Sequence, residues 1–308
     1  MLNWRRLGAD AALLAITFIW GSTFVIMKRA LAGMTPFWLL AIRFAIASSS
    51  LGLAYWRSLR RASRRLLGAG FISGFFLFGA YAFQTVGLLY TTPAKSGFIT
   101  GLSLVLVPLI AAVFLRKPPG LYAGLGAVSA FIGLYFLTGA GALRFNYGDF
   151  LTLFCAVANA LYVTAVGEYS RRHQAGPLTV IQLATVCLAS LVAAVLFEPT
   201  PNLASRVAWT GILLTAIPAT SVAFLVQNWA QRRTTTTHAA IVLSAEPVFS
   251  ALFSYWLEGE RLGTAGTVGA SMMLAGMLMA ELGPERRAPH GERPPRKPTA
   301  AGTTARVI

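Results

Sequence analysis

Ten apolar runs, each about 20 residues or longer, follow one another along the chain with only short links between them. They fall at 9–30, 36–56, 66–90, 93–115, 120–140, 148–168, 178–197, 207–231, 238–257 and 263–282. A helix needs about 20 apolar residues to cross the hydrocarbon core of a bilayer. Lipid offers no water to an open backbone, so a spanning run of this kind must close its own hydrogen bonds as a helix. The expected fold is an all-α integral membrane protein with ten transmembrane helices, neighbours running antiparallel. Composition agrees: 56% of residues are hydrophobic and 12% charged, against about 25% charged in soluble chains. Such a balance excludes a disordered chain, a disulfide-stapled secreted domain and an ordinary cytosolic enzyme.

The net charge is +16. The basic residues sit between apolar runs, so the charge reads as topology rather than as a nucleic-acid surface. With the N-terminus inside, the inner pieces hold Arg5, Arg6, Arg57, Arg60, Arg61, Arg64, Arg65, Arg116, Lys117, Arg171, Arg172, Arg232, Arg233 and six basic residues after 283. The outer pieces hold only Lys28, Arg29, Lys95, Arg144, Arg206 and Arg261. Both termini are therefore expected to be cytoplasmic, which an even number of spans satisfies. The first run resembles a signal peptide in its basic start, but it is long, and Lys28 and Arg29 precede the Ala-Leu-Ala that would be cut. It is retained as a helix. Residues 284–308, with five prolines and six basic residues, are expected to form a disordered basic cytoplasmic tail that touches anionic lipid.

Chemistry-bearing motifs are scarce. Cys155 and Cys187 lie within apolar runs, and His173, His238 and His290 are scattered, so neither a metal site nor a cofactor is expected. The chain has no HExxH, no GxSxG and no Walker A sequence. An enzyme reading therefore lacks its residues, and ATP cannot be the direct energy source. A sensor or assembly protein would lack a folded output domain; a channel-like facilitator is closer in class.

The two halves match at a shift of 139 residues. Asp10 falls on Asp149, Trp20-Gly21 on Asn159-Ala160, and Pro108 on Pro247. Towards the ends the shift becomes 143, with Gly126 and Gly133 falling on Gly269 and Gly276. A five-helix unit repeated after an odd number of crossings enters the membrane from the opposite face. The expectation is two inverted repeats, residues 7–140 and 146–283, with a binding site between them near the midplane.

Specific residues carry a family resemblance over roughly residues 7–283. Trp20-Gly21-Ser22-Thr23 stands in helix one, and Pro36 followed by Arg43 in helix two. Thr92-Pro93-Ala94-Lys95-Ser96-Gly97-Phe98-Ile99-Thr100-Gly101-Leu102 leads to Pro108 in helix four. Glu246-Pro247-Val248, followed by Gly259-Glu260-Arg261-Leu262, marks helix nine. The chain resembles the drug/metabolite transporter superfamily, specifically its ten-helix EamA type. Asn159 stands where many relatives carry tryptophan. The resemblance implies a carrier of small metabolites or amphiphiles in the inner (plasma) membrane, often an exporter.

Polar side chains inside the spans are the candidate site, because an ionisable group at mid-helix costs about 2.5–3.5 kcal/mol on insertion scales. Glu246 lies about eight residues into helix nine, about 12 Å deep at 1.5 Å per residue. Pro247 beside it would free the carbonyl of Leu243, making a candidate proton or cation coupling site; the alternative is a packing carboxylate. Arg43 either holds an anionic substrate or locks helices together. Lys95 either reads a carboxylate or marks the interface, and Gly97 and Gly101 beside it form a GxxxG step. Trp20, Ser22, Thr23, Tyr81, Gln84, Thr85, Thr100, Asn159, Tyr162, Gln227 and Asn228 would line a cavity for an amphipathic organic ligand. Gly70/Gly74 and Gly120/Gly124 are expected to pack helices. Expected partners are a small-molecule substrate, a coupling proton or cation and the bilayer, with the protein a monomer or homodimer.

Overall fold

A computed structural model describes residues 4–114, 120–139, 145–231 and 242–282. These residues form α1 (Trp4–Ala30), α2 (Pro36–Leu59), α3 (Arg64–Gly87), α4 (Pro93–Phe114), α5 (Leu121–Gly139), α6 (Tyr147–Arg172), α7 (Ala175–Phe197), α8 (Arg206–Gln231), α9 (Glu246–Glu258) and α10 (Thr264–Leu282). No strand occurs among them. Eight helices, α1 to α8, are long and apolar enough to cross a membrane, and α10 holds a shorter apolar stretch, Thr264–Ala280. The start of the ninth expected span lies outside the described residues, as do the tail 284–308, His238 and the links carrying Arg116, Lys117, Arg144, Arg232 and Arg233.

Local sequence sets the helix ends. Pro36 occupies the first turn of α2, where no N–H is needed. The Ser63 hydroxyl accepts the Leu66 amide at the start of α3. Asn146 and Asp149 form a reciprocal capping box on α6, at 2.9 and 3.0 Å. Gly259, at φ +65°, ends α9 in the left-handed conformation that glycine tolerates.

Helices from the two halves of the chain pack on one another. α5 lies along α10 and α2 along α7; α3 packs on α6 and α7, α1 on α8 and α9, and α4 on α6 and α9. Four glycines let α5 and α10 touch backbone to backbone. A methyl on Gly126 would lie 2.5 Å from the Gly276 carbonyl, and one on Gly276 the same distance from the Gly126 carbonyl. Gly133 and Gly269 meet in the same reciprocal way. Gly70 and Gly74 sit against Ile181, Gln182 and Thr185 of α7, as expected of packing glycines. Gly120 and Gly124 do not behave so: a Cβ on either meets nothing within 4 Å.

Large apolar side chains cover the outside. Leu53 and Phe197 are each 78% exposed, and Phe71, Leu188 and Val195 are also exposed. In water this would be an aggregating surface; in a bilayer it is the lipid face. The protein is a multi-pass membrane protein. One end gathers the C-termini of α1, α3, α7 and α9 with the N-termini of α2, α4, α6 and α8, through contacts such as Arg29 to Glu258, Thr35 to Glu198 and Thr91 to Asp149. It is called the Asp149 end below. The opposite end, with the α2–α3 and α6–α7 links, is the Arg60 end.

Candidate functional site

A cavity of about 70 Å³ lies between α1, α3, α4, α6, α8 and the start of α9. Nine expected residues line it: Trp20, Thr23, Tyr81, Gln84, Thr100, Asn159, Tyr162, Gln227 and Glu246. Its aromatic wall centres on Phe224, whose ring lies 5.3 Å from Trp20, 6.1 Å from Tyr81 and 5.9 Å from Tyr162. Its polar wall is a set of paired side chains. Gln84 donates to the Thr100 hydroxyl at 3.3 Å, Asn159 to the Ser103 hydroxyl at 3.0 Å, and Tyr162 to the Gln227 carbonyl oxygen at 3.3 Å.

The backbone of α8 opens beside this wall. Pro218 has no N–H, and residues Ile217–Val222 form a π turn, a distortion that recurs at functional sites. The Trp20 indole N–H donates to the Ala219 carbonyl at 2.8 Å. Thr220 and Ser221 bond back to the carbonyls of Thr215 and Ala216. Arg43 donates through Nε to the Thr220 hydroxyl at 2.8 Å. Its guanidinium lies 5.1 Å from the Tyr81 ring centre and 5.6 Å from that of Phe44. Arg43 is thus fully buried behind Tyr81, tying α2 to the π turn, and is not part of the cavity wall.

Glu246 reaches the cavity by a route the sequence reading did not give. Val242 and Leu243 are helical, Ser244 and Ala245 form a turn, and a new helix starts at Glu246. The expected continuous helix with an internal proline is therefore corrected. Pro247 sits in a first turn, where its missing N–H costs nothing, and Glu246 stands at a helix start. Three glycines bring neighbours against this turn. A Cβ on Gly21 would lie 2.9 Å from the Ser250 amide, one on Gly101 would lie 2.6 Å from Pro247 Cγ, and Gly97 packs on Ser250. The Ser250 hydroxyl donates to the Pro93 carbonyl at 3.0 Å. Among the described residues Glu246 has no ion-pair partner within 4 Å, and it is the acidic residue lining the cavity.

The other expected residues stand apart from the cavity. Lys95 is buried and pairs with Asp149 at 2.5 Å; Asp149 also accepts the Thr91 hydroxyl and the Asn146 amide. Asn228 faces α7, donating to Thr179 and Gln182. Ser22 bonds its own helix at Ile19. Thr85 is buried, and Pro247 packs on Gly101. Sequence reasoning missed Phe224, Ser103 and Cys155 in the wall. The Cys155 thiol lies 3.7 Å from the Thr100 hydroxyl. No group of residues able to hold a metal occurs among the described residues.

A paired polar and aromatic pocket, walled by apolar helices, gives this membrane protein an internal site of small-molecule character. The chain belongs to the EamA-like transporter family, whose profile matches residues 7–139 and again 146–282. It is thereby a member of the drug/metabolite transporter superfamily. It is similar to an uncharacterised transporter of Archaeoglobus fulgidus, 36% identical over 278 residues that cover 90% of this chain and 87% of that one. The uncharacterised transporter YyaM of Bacillus subtilis is 25% identical over 294 residues, covering 90% and 94%. A solved crystal structure, 23% identical, superposes with a TM-score of 0.67 over 89% of this chain and 97% of the other, a likeness of fold alone. Family and relatives point to a transporter and not to an enzyme.

Proposed function

We propose that this protein is a secondary carrier that exports a small metabolite or amphipathic organic solute across the inner membrane by alternating access, with both termini cytoplasmic. Ten spans make up two inverted five-helix repeats, 7–140 and 146–283, followed by the basic tail 284–308. Support for the inversion comes from packing. Exchanging each helix for the one five further on turns α3 on α6 into α8 on α1, and α4 on α6 into α9 on α1, and both pairs are in contact. Gly126 and Gly133 align with Gly269 and Gly276 yet touch them in crossed order, the reciprocal contact of a two-fold axis.

The observation that carries the transport reading is Glu246: a carboxyl group at a helix start, facing a cavity whose other polar groups are amides, hydroxyls and a thiol among aromatic and aliphatic side chains. Such a group suits a coupling proton or cation, or an ammonium group on the solute. At about 70 Å³ the cavity is below the roughly 300–1,000 Å³ of ligand pockets, which fits a closed or contracted state.

The test compares the medium of cells overexpressing wild type and Glu246→Gln, then measures flux of the responding solute in proteoliposomes with and without a pH gradient. Some excreted metabolite should rise with the wild type, and the variant should lose that rise. If Glu246→Gln keeps the flux and its pH response, the residue packs the helix and does not couple transport. If no solute responds to the wild type, the carrier reading fails.

A further inference from the structure

The Arg60 end carries a second concavity, unrelated to the central cavity. It is a groove of about 920 Å³ between the α2–α3 link and the α6–α7 link, lined among others by Trp56, Arg57, Arg60, Arg61, Arg172 and His173. Glu168, one turn back on α6, pairs with Arg172. Arg57, Arg60 and Arg61 make no ion pair within 4 Å with residues whose side chains are described. Instead the Arg57 and Arg60 guanidiniums flank the Trp56 ring, 5.7 and 5.1 Å from its centre. This stacking holds their planar donors together at the rim.

The groove adjoins the lipid face. Trp56 is half exposed, Leu53 less than a turn deeper on α2 is 78% exposed, and Leu67 and Phe71 are exposed on α3. A tryptophan at this level is the usual membrane-interface anchor. The site thus joins a phosphate-reading arginine cluster to an apolar surface that acyl chains can follow. A free anion would use only the first; a phospholipid uses both.

We propose that the groove binds the headgroup of an anionic phospholipid, whose phosphate is held by Arg57, Arg60, Arg61 and Arg172 while its chains lie along α2 and α3. Its two links come from the two halves of the chain, so the lipid bridges the halves at an end where no ion pair between helices occurs among the described residues. The proposal rests on membrane embedding and is independent of what the central cavity carries.

The test uses the purified full chain in neutral detergent. Bound lipid is counted by native mass spectrometry, and thermal unfolding is followed as phosphatidylglycerol, phosphatidylcholine of the same chains, or inorganic phosphate is added. The wild type should retain phosphatidylglycerol and be stabilised by it, with no such effect from the other two. At about 1 kcal/mol per basic residue near an anionic headgroup, Arg57→Gln/Arg60→Gln/Arg61→Gln should bind it on the order of a hundredfold more weakly. Should the triple variant not fold, Arg60→Gln alone should show about a fivefold loss. Arg206→Gln/Arg261→Gln, exposed at the opposite end, should bind normally. Equal retention of phosphatidylcholine, equal loss in the Arg206/Arg261 control, or displacement of the lipid by inorganic phosphate would each overturn the assignment.

Discussion

The two ends of the molecule are held in different ways. At the Asp149 end, helices are joined by charged side chains that reach across the bundle. Lys95 of α4 pairs with Asp149 of α6, and Arg29 of α1 pairs with Glu258 of α9 at 2.6 Å. Lys28 donates to the carbonyls of Leu88, Leu89 and Thr91 after α3. Glu198, just past α7, accepts the Phe37 and Trp38 amides and the Thr35 hydroxyl, and Glu260 accepts the Ala94 amide. At the Arg60 end, the ion pair among the described residues is Arg172 with Glu168, both on α6. One end is bonded across helices; the other presents like charges to its surroundings. On the proposed alternating-access reading, the Asp149 end is the one whose bonds across helices must break for it to open.

The largest expected effect tests the deepest of these bonds. Lys95 and Asp149 are almost completely buried, at 1% and 0% exposure, so removing one partner strands a charge in the interior. Lys95→Met should cost about 3–5 kcal/mol, read as a fall in thermal unfolding temperature in detergent. Lys95→Met/Asp149→Leu should recover much of it, because no buried charge remains. Arg60→Gln, at the other end, should change stability by no more than about 0.5 kcal/mol. Equal losses from Lys95→Met and Arg60→Gln would erase the contrast between the ends.

A middle-sized effect concerns Glu198. Its carboxylate lies 2.8–3.0 Å from the Thr35 hydroxyl and two amides at the start of α2, acting as a cap supplied from another helix. Glu198→Gln should lower stability by about 1–2 kcal/mol. A cost near zero would mean that water satisfies the same amides, and that this corner of the Asp149 end is not bonded in any useful sense.

The same contrast separates what could be read in the sequence from what could not. Apolar runs were legible because lipid imposes a length on each helix, and Gly126, Gly133, Gly269 and Gly276 because backbone contact demands glycine twice over. Trp20, Gln84, Asn159 and Glu246 stood out as polar groups in apolar runs, where each must find a partner or a cavity. Pairing was not legible. Lys95 and Asp149 are 54 residues apart, and no periodicity links them. Asn228 directly follows Gln227, but one residue turns a helix by about 100°, enough to aim one into the cavity and the other at α7. The break before Glu246 and the π turn at Pro218 depend on which backbone groups find partners, and a proline alone does not specify that. Phe224, one of 20 phenylalanines, carries no local mark of its place among three aromatic rings.

The smallest expected effect on stability bears most directly on opening. Arg29 and Glu258 are 52% and 35% exposed, and such pairs contribute roughly 0.2–1 kcal/mol. Arg29→Gln should therefore leave the unfolding temperature nearly unchanged. If the pair helps to close the Asp149 end, the same small energy should shift the open population by a factor of about 1.4 to 5, since 1.4 kcal/mol is worth tenfold. Cys155 is a built-in reporter, buried in the cavity wall. In a Cys187→Ala background, its labelling by a membrane-impermeant maleimide added at the Asp149 end should quicken by that factor in Arg29→Gln. Labelling from the Arg60 end should not quicken, because a bond broken at one end cannot raise the population open at the other. Acceleration from both ends alike would mean that the variant loosens the whole bundle, and that Arg29 and Glu258 do not act as a gate.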